Sequence, residues 1–164
     1  MPFPRAPYTQ GVPTFVRSSI INAPVETVFA FHGREGALSL LTPLFPPVRV
    51  VSRSGGISKG ARVELRVAGM RWVAVHTAYQ QNRLFVDEQV AGPFSRWIHR
   101  HEFEDLRGKT RLTDRVEYLL PGGHYVNSLF GWVIRPGLMQ MFSHRHRVTK
   151  KFCEASERRA ASKE

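Results

Sequence analysis

The segment Phe94–Asp105, FSRWIHRHEFED, places Trp97, His99, His101 and Phe103 at every second position, with Arg96, Ile98, Arg100, Glu102 and Glu104 around and between them. A β-strand turns successive side chains to opposite faces. One face of this segment would therefore carry two imidazoles between aromatics, and the other would be mostly charged. Imidazole titrates near neutral pH and can also ligate a metal, so the pair is the first place to look for chemistry. The flanking segments supply partners at the same period. Thr110–Leu120 offers Asp114, Val116 and Tyr118; Leu84–Ala91 offers Phe85, Asp87 and Gln89; Arg71–Tyr79 offers Trp72, Ala74 and His76. If these are strands of one sheet in a consistent register, Trp72, His76, Phe85, Asp87, Gln89, Trp97, His99, His101, Phe103, Asp114 and Tyr118 share one face. A slip of a single residue would invert any of these sets.

Three uses of such a cluster compete. Two histidines at i and i+2 with an aspartate or a third histidine can hold zinc or iron. The spacing is no specific metal signature and no thiolate helps, so neither a metal nor a cofactor is expected. Alternatively, His99 or His101 with Asp114 forms an acid–base pair in an apolar cavity, able to enolise or dehydrate a polyketide-like carbonyl compound. In the third reading the imidazoles and carboxylates satisfy one another, with Trp97 and Phe103 as core, or give a bound ligand its polar anchor. This reading requires only that buried polar groups find partners.

The elements that must position these residues follow from pattern and punctuation. Thr14–Asn22 is rich in β-branched residues and reads as a strand. NAPVETVFAFHG follows, with Pro24 suited to a first helical position, Glu26 to the first turn and Gly33 to a stop. Val25, Val28, Phe29 and His32 fall on one helical stripe. A second short helix is expected from Glu35 to about Leu41, before TPLFPP breaks the chain. Strands are then expected at Val48–Arg53, Ala61–Ala68, Arg71–Tyr79, Leu84–Ala91, Phe94–Leu106 and Thr110–Leu120. The tight turns between them imply antiparallel pairing. Tyr125 to about Arg159 reads as helical, with Leu138, Phe142, Arg145, Thr149 and Phe152 on a three-to-four spacing. Pro136-Gly137 should kink or interrupt it. The fold class is thus α+β: a curved seven-stranded antiparallel sheet around a long C-terminal helix, with two short helices after the first strand. One long helix and two short ones cannot fill the space inside such a sheet, so a pocket between sheet and helix is expected, with Leu138 and Phe142 on its helical side.

Composition sets the frame. The 164 residues suffice for one domain with a substantial core. An apolar fraction of 42% excludes a disordered chain. Cys153 is the single cysteine, which excludes a disulfide framework and a thiolate zinc site. The opening MPFPRAPYTQG lacks the apolar core of a signal peptide, and no run is long enough to span a membrane. A cytoplasmic location is expected, or a peripheral one at the inner membrane face. The formal charge is +11, and from Arg135 onward basic residues outnumber acidic ones. Yet no zinc-finger spacing or RNP-like aromatic motif is present, so nucleic acid is not an expected partner. HYVNSLFGWVIRPGLMQMF followed by SHRHRVTKK could rest on an anionic bilayer, or could be a covering helix with a solvated basic side. Lys150 and Lys151 could lower the Cys153 pKa, although a lone cysteine near a C-terminus is no nucleophile by itself.

Four stretches carry a family likeness: SSIINAPVETVFAFH, LTPLFPPVRVV, VDEQVAGPFSRWIHRHEFED and TRLTDRVEYLLP. They resemble the START-like, or SRPBCC, superfamily. The likeness is to its bacterial polyketide cyclase/dehydrase and CoxG-like members, and to the ligand-binding domain sometimes fused to nucleoside-diphosphate-sugar epimerase-like proteins. It runs from about Thr14 to Phe152. The resemblance implies a helix-grip fold, placed over residues 13–157; residues 1–12, with three prolines and a glycine, read as an extended arm, and 158–164 as a basic disordered tail. It also implies a hydrophobic cavity, closed by the last helix, for a lipid, polyketide, hormone or quinone-like molecule. It transfers no reaction, because the superfamily holds both enzymes and carriers. The expected function is binding or carriage of such a molecule. The alternatives are a cofactor-independent cyclase or dehydratase, and a membrane-peripheral accessory protein that handles a lipid or quinone.

Overall fold

The computed structural model describes residues 11–162. Its elements run β1 (Thr14–Ile21), α1 (Val25–Gly33), α2 (Ala37–Leu41), β2 (Val48–Ser54), β3 (Arg62–Val67), β4 (Met70–Gln80), β5 (Leu84–Ala91), β6 (Arg96–Asp105), β7 (Thr110–Leu119) and α3 (Gly123–Ala161). The strands form one sheet in the order β1-β7-β6-β5-β4-β3-β2, every neighbouring pair antiparallel. Consecutive strands from β2 to β7 are joined by local hairpins, and β1, separated from β2 by the two short helices, pairs with β7. Two of the hairpins turn through Ala68-Gly69 and Arg107-Gly108, with all four residues at positive φ. That is the backbone of the two-residue turn whose twist matches that of the flanking strands.

On β6 the burial alternates without a break: Trp97, His99, His101 and Phe103 are buried. The outward side carries ion pairs, Arg96 with Glu117 at 3.2 Å and Arg100 with Glu102 at 3.4 Å. The register expected from period two therefore holds here. On β4 it needs help. Trp72, Ala74 and His76 face inward, but the pairing with β5 shifts between His76 and Ala78, after which Tyr79 packs on Phe29. An extra residue changes the inward parity from even to odd.

Helix α3 buries Leu138, Phe142, His146, Thr149 and Cys153. Leu138, Phe142 and Thr149 agree with the expected stripe. Arg145 is only partly buried and Phe152 is exposed, and the next residue in each case, His146 and Cys153, takes the inward place. Pro136 does not interrupt the helix, which runs continuously from Gly123 to Ala161. A proline removes one backbone donor and crowds the preceding turn. Ile134, Leu138, Met141 and Phe142 hold the turns around it against Phe15, Trp97, Val116 and Tyr118, so packing offsets that cost. The helix also continues past the expected boundary at 157. Arg158 to Ala161 are helical and not part of a disordered tail. Alanine favours helix, and arginines in the last turn complement the negative end of the dipole. Residues 163–164, and all but the last two residues of the expected 1–12 arm, lie outside the described residues.

Two core clusters result. One joins α1 to the sheet and to the end of α3 through Ile21, Val28, Phe29, Phe103, Leu112 and Cys153. The other joins the middle of α3 to β1, β6 and β7.

Candidate functional site: a cavity with a histidine–aspartate end

Helix α3 packs on β1 and β7 and touches both short helices. The inner faces of β3 and β4 turn instead to a cavity of about 400 Å³. Val63, Leu65 and Val67 of β3, Trp72 and Ala74 of β4, and Ile134, Leu138 and Met141 of α3 make its walls apolar. An aromatic group closes one side, with Trp72 edge-on to Trp97 at 4.9 Å and Phe94 at 4.9 Å from Trp97. Polar groups gather at His32, His76, Asp87, His99, His101 and Arg145.

Asp87, His99 and His101 belong to a network reaching behind the wall. His99 Nε2 lies 2.9 Å from Asp114 Oδ1 and its Nδ1 lies 3.3 Å from Asp87 Oδ2. His101 Nε2 lies 3.1 Å from the same Asp87 oxygen, and its Nδ1 lies 2.9 Å from Asp114 Oδ1, at an angle that makes no hydrogen bond. Asp114 Oδ2 accepts from His146 Nε2 at 2.8 Å, and His146 Nδ1 accepts in turn from the Ser19 hydroxyl at 2.8 Å. Strand pairing explains these contacts. His101 sits directly across from Asp114 and His99 directly across from Asp87. The rings of His99 and His101 are 3.7 Å apart, and Phe85 stacks on His101 at 3.9 Å.

Burial opposes charge throughout the cluster, and neighbouring groups reinforce or overcome it. Burial alone would raise Asp87 and Asp114. His99 and His101 outweigh it at Asp87, and His101, His146 and His99 do so at Asp114, holding both carboxyls below the usual range. At His99 burial works downward, but Asp87 and Asp114 leave the pKa raised. Burial, and then the neighbouring His99, lower His101. His32 is taken down to about 3, by burial first and by His101 second.

The residues expected from the sequence separate into two sets. Trp72, His76, Phe85, Asp87, Trp97, His99, His101 and Leu138 reach the cavity wall. Phe103, Tyr118 and Phe142 are buried core behind it, and Asp114 is buried among the imidazoles. Gln89 is occupied by the bend before β6: its Nε2 donates to the Phe94 carbonyl at 2.7 Å. Two histidines were not foreseen as members of the site. His32 was legible as part of the α1 stripe, but nothing in the sequence aimed that stripe at the β6 histidines. His146 stands one turn after Phe142, and that spacing was the available signal.

A family model described as polyketide cyclase / dehydrase and lipid transport matches residues 21–142. No curated protein sequence matches the chain. Among solved structures, it superposes on the nucleoside-diphosphate sugar epimerase from Corynebacterium glutamicum with 26% identity and a TM-score of 0.69. That match covers 90% of this chain and 30% of the epimerase chain, so this chain spans less than a third of that protein. A START superfamily protein from Mycobacterium smegmatis is 15% identical, with a TM-score of 0.59, covering 87% of this chain and 97% of that one. A norcoclaurine synthase point mutant from Thalictrum flavum is 9% identical, with a TM-score of 0.68, covering 89% of this chain and 96% of that one. The last two likenesses are of fold alone, and the fold they share with this chain is the helix-grip: a curved sheet around one long C-terminal helix.

Proposed function

Because the chain belongs to the START-like superfamily, in its polyketide cyclase / dehydrase and lipid transport family, we propose that it binds a hydrophobic or amphipathic small molecule in the cavity between the sheet and α3. The observation that carries this reading is the cavity itself, about 400 Å³ with apolar walls and one histidine–aspartate end. Its size falls in the range of small-molecule pockets, which are mostly apolar with a few placed polar groups. The apolar body of a lipid, polyketide or quinone-like molecule lies along Leu65, Trp72, Ile134 and Met141. Its oxygen-bearing end meets His99, His101 and Asp87. Native mass spectrometry of the gently purified protein, followed by organic extraction, is the direct test. An apolar small molecule at near-stoichiometric yield is expected. If none co-purifies, and no fatty-acid or polycyclic probe changes the emission of Trp72 and Trp97, the reading fails.

For a cyclase or dehydratase, acid–base work would fall to His99 or His101, which reach the cavity, with Asp114 positioning them from behind. His99→Ala with unchanged affinity and lost turnover would favour that class.

A specific surface supports a second, compatible reading, docking on an anionic bilayer. The first half of α3 exposes Tyr125, Leu129, Phe130, Trp132 and Val133, and the loop after α2 exposes Leu44 and Phe45. Val133 and Pro46 of these segments also line the cavity, so the apolar surface adjoins it. Among the described residues no helix is long and apolar enough to cross a membrane. The net charge of +11 suits an anionic surface. Flotation with anionic but not neutral liposomes, weakened by Trp132→Ala, is the expected outcome. Equal recovery with both lipids would exclude it.

A further inference from the structure

Among the contacts between β5, β6 and β7 one buried nitrogen is left over: His101 Nδ1 lies 2.9 Å from Asp114 Oδ1 and makes no hydrogen bond. Each neutral imidazole has one N–H and one lone pair. His99 faces Asp87 through Nδ1 and Asp114 through Nε2, and His101 faces Asp87 through Nε2 and Asp114 through Nδ1. Only three of these four contacts can be hydrogen bonds, because His101 Nδ1 lies off angle, and two neutral rings have two protons to give. One contact would then set a nitrogen lone pair against an oxygen lone pair. A third proton closes the set by making one imidazolium in a buried site, and a bound cation would relieve the same mismatch without it.

We infer that Asp87 Oδ2, His99 Nδ1 and His101 Nε2 form a site for a divalent transition-metal ion at the polar end of the cavity. With the ion in place both rings turn a lone pair to the metal, His99 donates its Nε2–H to Asp114, and Asp87 becomes the third donor. One ligand atom from each of Asp87, His99 and His101 lies within 4.8 Å of the other two. The Asp87 oxygen is 3.3 Å from His99 Nδ1 and 3.1 Å from His101 Nε2. Donors about 2.0–2.2 Å from a tetrahedral ion stand about 3.3 Å apart, so both spacings from Asp87 suit such an ion.

The surroundings are those of a supported metal site. Metal-bound imidazoles are held by a carboxylate at the other nitrogen, and Asp114 stands there for His99. Asp114 is fixed in turn by His146, and His146 by Ser19. Two imidazoles and one carboxylate favour zinc or iron(II) over magnesium or calcium. All three ligand residues line the cavity, so the ion would keep a coordination position open to it. His76, directly across the strand pair from Asp87, has a buried Nδ1 without a hydrogen-bond partner among the described residues and is a candidate further donor.

The test uses the full chain, stripped with a chelator and titrated with Zn²⁺ by calorimetry and with Co²⁺ by absorption. One equivalent is expected, with a Co²⁺ ligand-field band of low coordination number and a rise in Tm that chelator reverses. Asp87→Asn should weaken binding at least about 10-fold, because a direct ligand matters no less than its supporting shell. Asp114→Asn, a positioning change, should weaken it about 10- to 100-fold. His144→Ala, a half-buried residue of α3 that does not line the cavity, should leave binding unchanged. Binding well below one equivalent by the stripped wild type overturns the inference. So does equal affinity in Asp87→Asn, or a loss that follows His144 instead. The wild-type titration stands on its own if a variant fails to fold.

Discussion

Replacing Asp114 by asparagine should be among the costliest isosteric changes in this molecule. The side chain is 2% exposed and receives His99 Nε2 at 2.9 Å and His146 Nε2 at 2.8 Å, with His101 Nδ1 also at 2.9 Å. Asparagine keeps the volume, so no cavity opens. What disappears is the charge, and one oxygen acceptor becomes an NH₂ donor facing an imidazole. A hydrogen bond to a charged group contributes about 1.5–3 kcal/mol. Breaking a buried charge pair by removing one partner costs about 3–5 kcal/mol, and the contacts of one carboxylate are not additive. A loss of about 3–5 kcal/mol is therefore expected at neutral pH, measured by urea unfolding with tryptophan emission in the presence of chelator. The pH dependence provides a second check. The Asp114 carboxyl is held well below the usual value by the imidazoles, against burial. A depressed acid contributes stability in full above its unfolded pKa of about 3.9, and loses it as pH falls towards the folded value. The gap between wild type and variant should thus narrow below about pH 4, and should shrink again at alkaline pH as His99, whose pKa Asp87 and Asp114 raise, loses its proton. A cost under about 1 kcal/mol, or a gap that does not narrow in acid, would refute the network as drawn.

Further outcomes follow from individual residues. Phe142 is fully buried, stacked on Phe15 at 5.4 Å and edge-on to His99 at 5.0 Å, so Phe142→Ala should cost about 3–5 kcal/mol in chemical denaturation. His32 titrates at about 3 in the fold, through burial and then His101, against about 6.5 when unfolded. Between these values only the unfolded chain takes the proton, so stability falls as pH drops through that window, by at most about 1.4 kcal/mol per pH unit. His32→Leu should flatten this part of the stability profile, and an unchanged slope would show that His32 is not the group. The Cys153 thiol is pushed up to about 12 by burial and then by Glu157, not lowered by the nearby lysines. Its labelling by a neutral-pH thiol reagent should wait on unfolding, and rapid labelling of the native protein would contradict its burial.

The alternation of Trp97, His99, His101 and Phe103 was sufficient to place the imidazoles on the inner face, because a strand has only two faces and the intervening residues are charged. The order of strands and helices, the tight turns and the covering role of α3 followed from local pattern in the same way. The β4 bulge did not, since an inserted residue leaves no mark in the sequence until a partner strand reveals the mismatch. Nor did the continuity of α3 through Pro136, where side-chain packing offsets a local penalty that the sequence displays and a compensation that it does not.

For the site, the sequence supplied the residue types and their faces. Tertiary structure supplied the distances. Asp114 meets His146 across 32 positions of chain, and Ser19 meets His146 across 127. No local periodicity encodes how far a helix slides or rotates on a sheet; that is set by how all the large side chains interdigitate at once. The same packing decided that Asp114 lies behind the cavity wall while Asp87 opens onto it, two aspartates that look equivalent in the sequence.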